Sequence, residues 1–386
     1  MTESRKPSTT AVHSGRMTRA HFGTVNTPVY RTSTILQPDL ATLEGHSAPY
    51  VYGRRGTPTS RSLEEAINAL EGGAHTALAP SGLGAIALAL LSVCRSGDHV
   101  LVSDSAYWPT RGFCDRMLTR YGIETDYYDP TIGAGIAELI KPNTRAVFCE
   151  APGSLTFEMQ DIPAIAAAAH AKGASVLMDN TWATPLLFQP LAHGVDLSIQ
   201  AVTKYIGGHA DVMMGYVCAN ESHKARLEQA HGDMGLYCSG DDCFLALRGL
   251  RTLPVRLPRH QETGLTLANW FAARPEVERV LHPALETDPG HALWKRDFKG
   301  ACGLFGVVLK PQPEGALAAL MDHLDYFGMG YSWGAFESLM IPAHIHRTAR
   351  PFDAQGPVIR VHAGLEDPDD LIADLEAGFA RMSKVK

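Results

Sequence analysis

The chain has 386 residues, 45% hydrophobic and 19% charged, a composition that supports a large buried core divided into two or three domains. A net charge of -7 and a pI near 6.2 give no general attraction for nucleic acid or anionic lipid. Seven scattered cysteines without a CxxC pair suit a reducing compartment, and the start MTESRKPSTT has no apolar signal core, so a cytoplasmic protein is expected.

Residues 1–57, rich in Thr, Pro, Arg and Gly and without sustained periodicity, read as an extended arm of the kind that embraces a neighbouring subunit. Leu63, Ala66, Ile67 and Leu70 then recur at helical spacing, with Ser62 to Glu65 as a capping box and Gly72-Gly73 as the stop. Strands are expected at HTALA, HVLVS, RAVFC, SVLM and DLSIQA, alternating with helices near 83–93, 109–120 and 162–171. That alternation predicts repeated βαβ units around a mostly parallel central sheet, an α/β domain over 58–250. Beyond 250 come helix and a few strands (GLFGVVLK, PVIRVHAG), closed by an amphipathic helix from Pro368 to Met382: a smaller C-terminal α+β domain, 251–386. Arg248, Arg251, Arg256 and Arg259 read as interface or solvated surface on this acidic chain.

Ligands of an open parallel sheet lie beyond the carboxyl ends of its strands. Three unusual residues fall there: Tyr107 after HVLVSDSA, Asp179 closing SVLMD, and Lys204 just past DLSIQA. A lysine in a dry pocket has a depressed pKa and can form an imine with an aldehyde cofactor, of which pyridoxal phosphate is the obvious one. Asp179 would keep the cofactor's pyridine nitrogen protonated, and Tyr107 would stack on its ring. The run APSGLGAIALALL, a strand end followed by Ser81-Gly82-Leu83-Gly84 and an apolar helix, offers backbone donors for a phosphate. The pair His344 and His346 has no third ligand at motif spacing, so no metal is expected.

These residues carry a family resemblance. DNTWATP at 179–185 followed by SIQAVTKYIGGHAD is similar to the PLP-dependent Cys/Met metabolism family. So are VYGRRGTPT, LEGGAHTALAPSG, SDSAYWPTRGF, EAPGSLTFEMQDIPAI, RGLRTLPVRL, GYSWGAFESL and IRVHAGLEDPDDLIADLEAGFAR, in order over nearly the whole chain. The resemblance implies fold type I, aspartate aminotransferase-like, and a homotetramer built as a dimer of dimers that shares active sites. It implies Lys204 as the lysine bonded to pyridoxal 5'-phosphate and Asp179 as the pyridinium partner. Tyr107 would be the stacking and catalytic tyrosine, Gly82 and Leu83 the phosphate-binding amides, and Thr203 a further phosphate hydroxyl. Tyr52 and Arg54 would reach the neighbouring subunit's phosphate, and Arg360 would hold the substrate α-carboxylate. Ala201 stands where many members have a serine.

The segment Ser332-Trp333-Gly334, with the paired arginines of YGRRG, resembles bacterial cystathionine β-lyases and implies β-elimination from cystathionine, cystine or related S-substituted cysteines. Ser332, Trp333 and Tyr107 would then meet the substrate, with Arg55 or Arg111 on its distal carboxylate. The alternatives are a γ-lyase, γ-synthase or O-acyl-homoserine sulfhydrylase of the same family, and a non-catalytic PLP-holding regulator, which the intact Lys204, Asp179 and Arg360 set disfavours.

Overall fold

The computed structural model describes residues 5–386. Strands β1 (His75–Ala79), β2 (His99–Ser103), β3 (Glu124–Tyr128), β4 (Thr144–Glu150), β5 (Ser175–Asp179), β6 (Leu197–Ala201) and β7 (Gly215–Ala219) form one sheet in the order β1-β7-β6-β5-β4-β2-β3. β2 to β6 are mutually parallel, and β7 is antiparallel to both its neighbours. Helices pack on both faces, so the central strands are apolar runs buried throughout. The edge strand β3 instead alternates, and its sequence ETDYY carries no apolar run.

A second sheet contains β8 (Val277–Leu281), β9 (Leu304–Leu309), β10 (Phe327–Gly328), β11 (Ser338–Pro342) and β12 (Val358–His362), in the order β10-β11-β12-β9-β8. The helix Pro368–Met382, capped by the Asp367 side chain, buries Leu371, Leu375 and Phe379 in the same core as β9 and β12. The α/β core with a smaller C-terminal sheet unit is therefore present.

Several local expectations change. The helix over the apolar stripe begins at Pro58, not Ser62: Thr57 and Ser60 form the reciprocal cap, because Pro at the first helical position has no N–H to satisfy. Ser62 lies inside that helix, bonded to Thr27. The arm has local structure of its own, with helices Pro7–His13 and Leu40–Gly45. The helix expected over 109–120 is Trp108–Phe113 followed by a wider π turn, Cys114–Leu118. A single 33-residue helix, Gly240–Ala272, runs through residue 250. On it Arg256 is buried rather than solvated, donating to the carbonyls of Ile206 and Gly249, and Arg251 donates to Ala11 O.

Candidate active site

Because β1 is antiparallel to β7, and β7 to β6, the carboxyl ends of β1, β2, β4, β5 and β6 lie on one edge. After β1, Ser81 caps the helix Gly82–Val93 by accepting from Gly84 N at 3.0 Å. The amides of Gly82 and Leu83 thus open an apolar helix whose positive end suits a phosphate. Gly82 sits so close to β6 that a Cβ would fall 2.8 Å from Ala201 Cβ. A small residue at 201 is the counterpart of that approach.

Asp179, buried at the end of β5, accepts the Thr181 amide (2.9 Å) and hydroxyl (2.5 Å) on Oδ1. Oδ2 has no partner among the described residues, which leaves an acceptor for a pyridinium N–H. Burial raises its pKa, and the Thr181 bonds and Lys204 oppose the rise. Lys204 follows β6 through a turn, and its Nζ stands 2.8 Å from Ser332 Oγ and 5.3 Å from the Trp333 ring centroid. Burial, reinforced by the Arg360 charge and opposed by Asp179, lowers its pKa to about 8. An amine held near that value is a competent nucleophile and base at mild pH.

The loop before β11 brings in the C-terminal unit. Ser332 has φ 84°, a region costly for any residue with a Cβ. That conformation turns its hydroxyl to Lys204 and its carbonyl to Arg360, whose Nη2 donates to Ser332 O at 2.8 Å and to Gly330 O at 3.3 Å. Gly334, at φ 87°, approaches the backbone of Lys204 and Tyr205 so closely that a Cβ would lie 2.8 Å from Tyr205 N. Trp333 packs on Tyr205 at 5.5 Å. Arg360, on β12, is buried, its pKa lowered by burial to about 10, and its Nε has no partner. An unpaired, solvent-free guanidinium N–H is a ready site for a carboxylate. His362 shares its face and accepts from Gly334 N at 3.0 Å. The faces of Arg360 and of Ile359 are both buried.

Tyr107 caps the short helix after β2 and remains partly exposed; burial, Glu150 and Asp179 raise its pKa, and Arg360 opposes them. Glu150, at the end of β4, accepts the Tyr107 amide at 2.7 Å and lies in register with Asp179. Burial, and then Asp179, push its carboxyl well above the usual range. Glu150 and Thr181 were absent from the sequence reading. The signal for Glu150 was a carboxylate closing an apolar strand, the same signal that singled out Asp179.

Other residues lie apart from this cluster. Thr203 donates its hydroxyl proton to Met214 O and accepts from Met214 N, so as placed it has no donor left for a phosphate. Tyr52 is exposed, Arg54 donates to Gly232 O at 3.1 Å, and Arg55 lies against Gly232, beside the end of the helix Lys224–Met234. Arg111 is corrected as a substrate ligand. It is buried, paired with Asp104 at 2.7 Å, bonded to Thr348 and stacked on Tyr127. His209 bonds Gly207 O. Among the described residues no group of three or more His, Cys, Asp or Glu could hold a metal.

The helix start free of a Cβ at Gly82, the free oxygen of Asp179, and the depressed amine of Lys204 together fit pyridoxal phosphate. Comparisons agree. A Rhizobium johnstonii protein provisionally named cystathionine beta-lyase is 53% identical over 98% of this chain and 96% of its own length. Cystathionine beta-lyase MetC of Escherichia coli K12 is 44% identical over 98% of this chain and 99% of its own. The crystal structure of cystathionine gamma synthase from Xanthomonas oryzae pv. oryzae, in complex with aminoacrylate and cysteine, superposes with a TM-score of 0.90 at 32% identity, covering 98% of this chain and 99% of that one. The family model described as Cys/Met metabolism PLP-dependent enzyme matches residues 8–380. With a match of that extent beneath the lysine, aspartate and arginine geometry, the chain belongs to the Cys/Met metabolism PLP-dependent enzymes.

Proposed function

We propose that this carbon–sulfur lyase catalyses β-elimination from L-cystathionine and related S-substituted cysteines, releasing a thiol (homocysteine from cystathionine), pyruvate and ammonia. One observation carries the reading: a single loop residue, Ser332, holds the Lys204 amine through its side chain and the Arg360 guanidinium through its carbonyl. Bound pyridoxal phosphate supplies the electron sink for a carbanion at Cα.

Arg360 grips the α-carboxylate through its fork and fixes the orientation of the Cα–H bond. Lys204, uncharged in a large fraction near pH 8, removes that proton and delivers one to the departing sulfur. Asp179 would accept the pyridinium N–H on its free oxygen and so keep a counter-charge beside it, and Thr181 holds the carboxylate in place. Tyr107, anchored by Glu150, covers the opposite side and can take up a proton from the substrate amine. Trp333 narrows the space beside Lys204, which favours substrates whose sulfur is on Cβ. Gly82 and Leu83 bind the phosphate in the same protomer, and Tyr52 and Arg54 that of a neighbour in a homotetramer. Arg55 on that arm is the remaining candidate for a distal carboxylate. The seven cysteines are free and buried, which agrees with a cytoplasmic enzyme. No helix among the described residues is long and apolar enough to cross a membrane.

The test is product analysis with L-cystathionine. Pyruvate with homocysteine supports the reading. 2-Oxobutyrate with cysteine replaces it by γ-elimination, an alternative kept by the likeness to a γ-synthase structure.

A further inference from the structure

The active-site mouth is bordered by residues 105–113, 329–336 and 343–350. None of the three segments contains Asp or Glu. The carboxylates nearest to them are occupied: Asp104 by Arg111 and the amides of Thr348 and Ala349, Glu158 by Arg347 and Thr156, and Glu150 by the Tyr107 amide. Glu337 is turned inward, with Oε2 cut off from solvent. The cations are committed too, Arg111 to Asp104, Arg347 to Glu158 and Arg350 to Asp129. In this protomer a zwitterionic substrate tail therefore meets neither a free carboxylate nor a free guanidinium.

Aromatic surface takes their place. Trp108, the residue after Tyr107, is 58% exposed and stands edge-on to His346 with ring centroids 5.5 Å apart. Tyr331, adjacent to Ser332 and near Arg360, is 93% exposed. The anchor beneath is rigid, because Asp104 ties the start of the Trp108 helix to residues 348–350 through four hydrogen bonds from backbone and side chain. A substrate held with its carboxylate on Arg360 and its Cα near Lys204 would need room for its sulfur substituent on the open side of the site, where the exposed Trp108 follows Tyr107 in the chain.

We propose that Trp108, backed by His346, determines leaving-group specificity, selecting S-substituted cysteines whose departing thiol carries a flat apolar group such as benzyl or aryl. This rests on the β-elimination reading. In the reaction the Cα–H and Cβ–S bonds break and the thiol leaves with a proton. The 2-aminoacrylate released takes up water to give pyruvate and ammonia. Stacking on the indole strengthens binding of the departing group without altering that balance.

The experiment compares the holoenzyme with Trp108→Ala and Trp108→Phe on S-benzyl-L-cysteine and S-ethyl-L-cysteine, following pyruvate. The alanine variant should lose about tenfold in kcat/KM for the benzyl substrate and stay within about twofold for the ethyl one, as loss of one aromatic contact predicts. Phenylalanine should restore most of the difference. Equal losses on both substrates, or none, overturn the proposal. Calorimetric affinities for the sulfur-free analogues 2-amino-5-phenylpentanoate and norleucine give a second readout. Their ratio should fall in Trp108→Ala, and an unchanged ratio overturns the proposal even where no pyruvate forms. Absence of pyruvate from both substrates refutes the lyase reading alone.

Discussion

Glu150 and Asp179 face one another in register at the carboxyl ends of β4 and β5, two acidic side chains at the floor of one site. Burial is the largest influence on both and raises both pKa values; Asp179 adds to the rise at Glu150, while at Asp179 the Thr181 bonds and then Lys204 oppose it. Burial and Asp179 favour the neutral form of Glu150, which holds the Tyr107 amide, whereas the Thr181 bonds and Lys204 favour the charged form of Asp179 against its burial. Glu150→Gln keeps an acceptor without a charge and should leave kcat/KM near neutral pH within about twofold, while Glu150→Ala releases Tyr107 and lowers it by up to about a hundredfold. The ratio of the two variants, together with the cofactor absorption spectrum, checks this.

Lys204→Ala should lower turnover by at least about a thousandfold, the range expected for loss of a general base, and abolish borohydride-stable attachment of the cofactor. In the cofactor-free protein, the rate of attachment should rise through about pH 8, not through the ordinary lysine value of 10.5. Between those values the unfolded chain binds more protons at this lysine than the folded one, so stability attributable to Lys204 rises with pH over that window. Reconstitution rates and denaturant midpoints against pH measure both effects.

Trp333→Ala opens the wall beside Lys204 and lets water reach it. The share of 2-oxobutyrate from cystathionine should increase. Rehydration should also move the Lys204 pKa back towards 10.5, which the same reconstitution profile reads.

Asp104 accepts from Arg111 and from three successive backbone amides, Thr348 to Arg350. Burial pushes its pKa up, but these donors together outweigh burial and hold it below the usual value. A depressed carboxylate contributes stability above its unfolded pKa that is lost as pH falls through the folded one. Asp104→Ala leaves Arg111 buried without a partner and should cost about 3–5 kcal/mol by denaturant titration, with a loss of activity as the start of the Trp108 helix loosens.

Glu71 lies fully buried against the sheet, bonded to Ser198 and Tyr216, with Oε2 unpartnered. Burial raises its pKa from 4.5 to about 7 against those two bonds. The native state therefore binds more protons than the unfolded one between these values, and its contribution is lost as pH rises through 7. Glu71→Gln should raise the unfolding free energy measured by denaturant titration at pH 8 by on the order of 1–3 kcal/mol and change it little at pH 4.

The linear sequence determined the central strands, because β1, β2, β4, β5 and β6 are short apolar runs buried on both faces, and the same runs marked where Lys204, Asp179 and Tyr107 would emerge. It did not reveal β3, whose edge position tolerates ETDYY, nor β7, whose GYVCA is as long as the assigned strands but follows β6 without an intervening helix and pairs antiparallel to it, outside the βαβ alternation. Motif spacing pointed to the site's charged residues but not to their pairings. Arg111, offered with Arg55 for a distal carboxylate, is bound to Asp104, and the pairing of Glu150 with Asp179 is set by the register of β4 and β5. Tertiary structure alone decided these points, since a charge removed from water takes whichever partner the folded chain places within hydrogen-bond distance: Arg360 reaches Ser332 O, 28 residues away within the C-terminal unit, and Ser332 in turn meets Lys204, 128 residues away and beyond the end of β6, only because the two sheet units pack together.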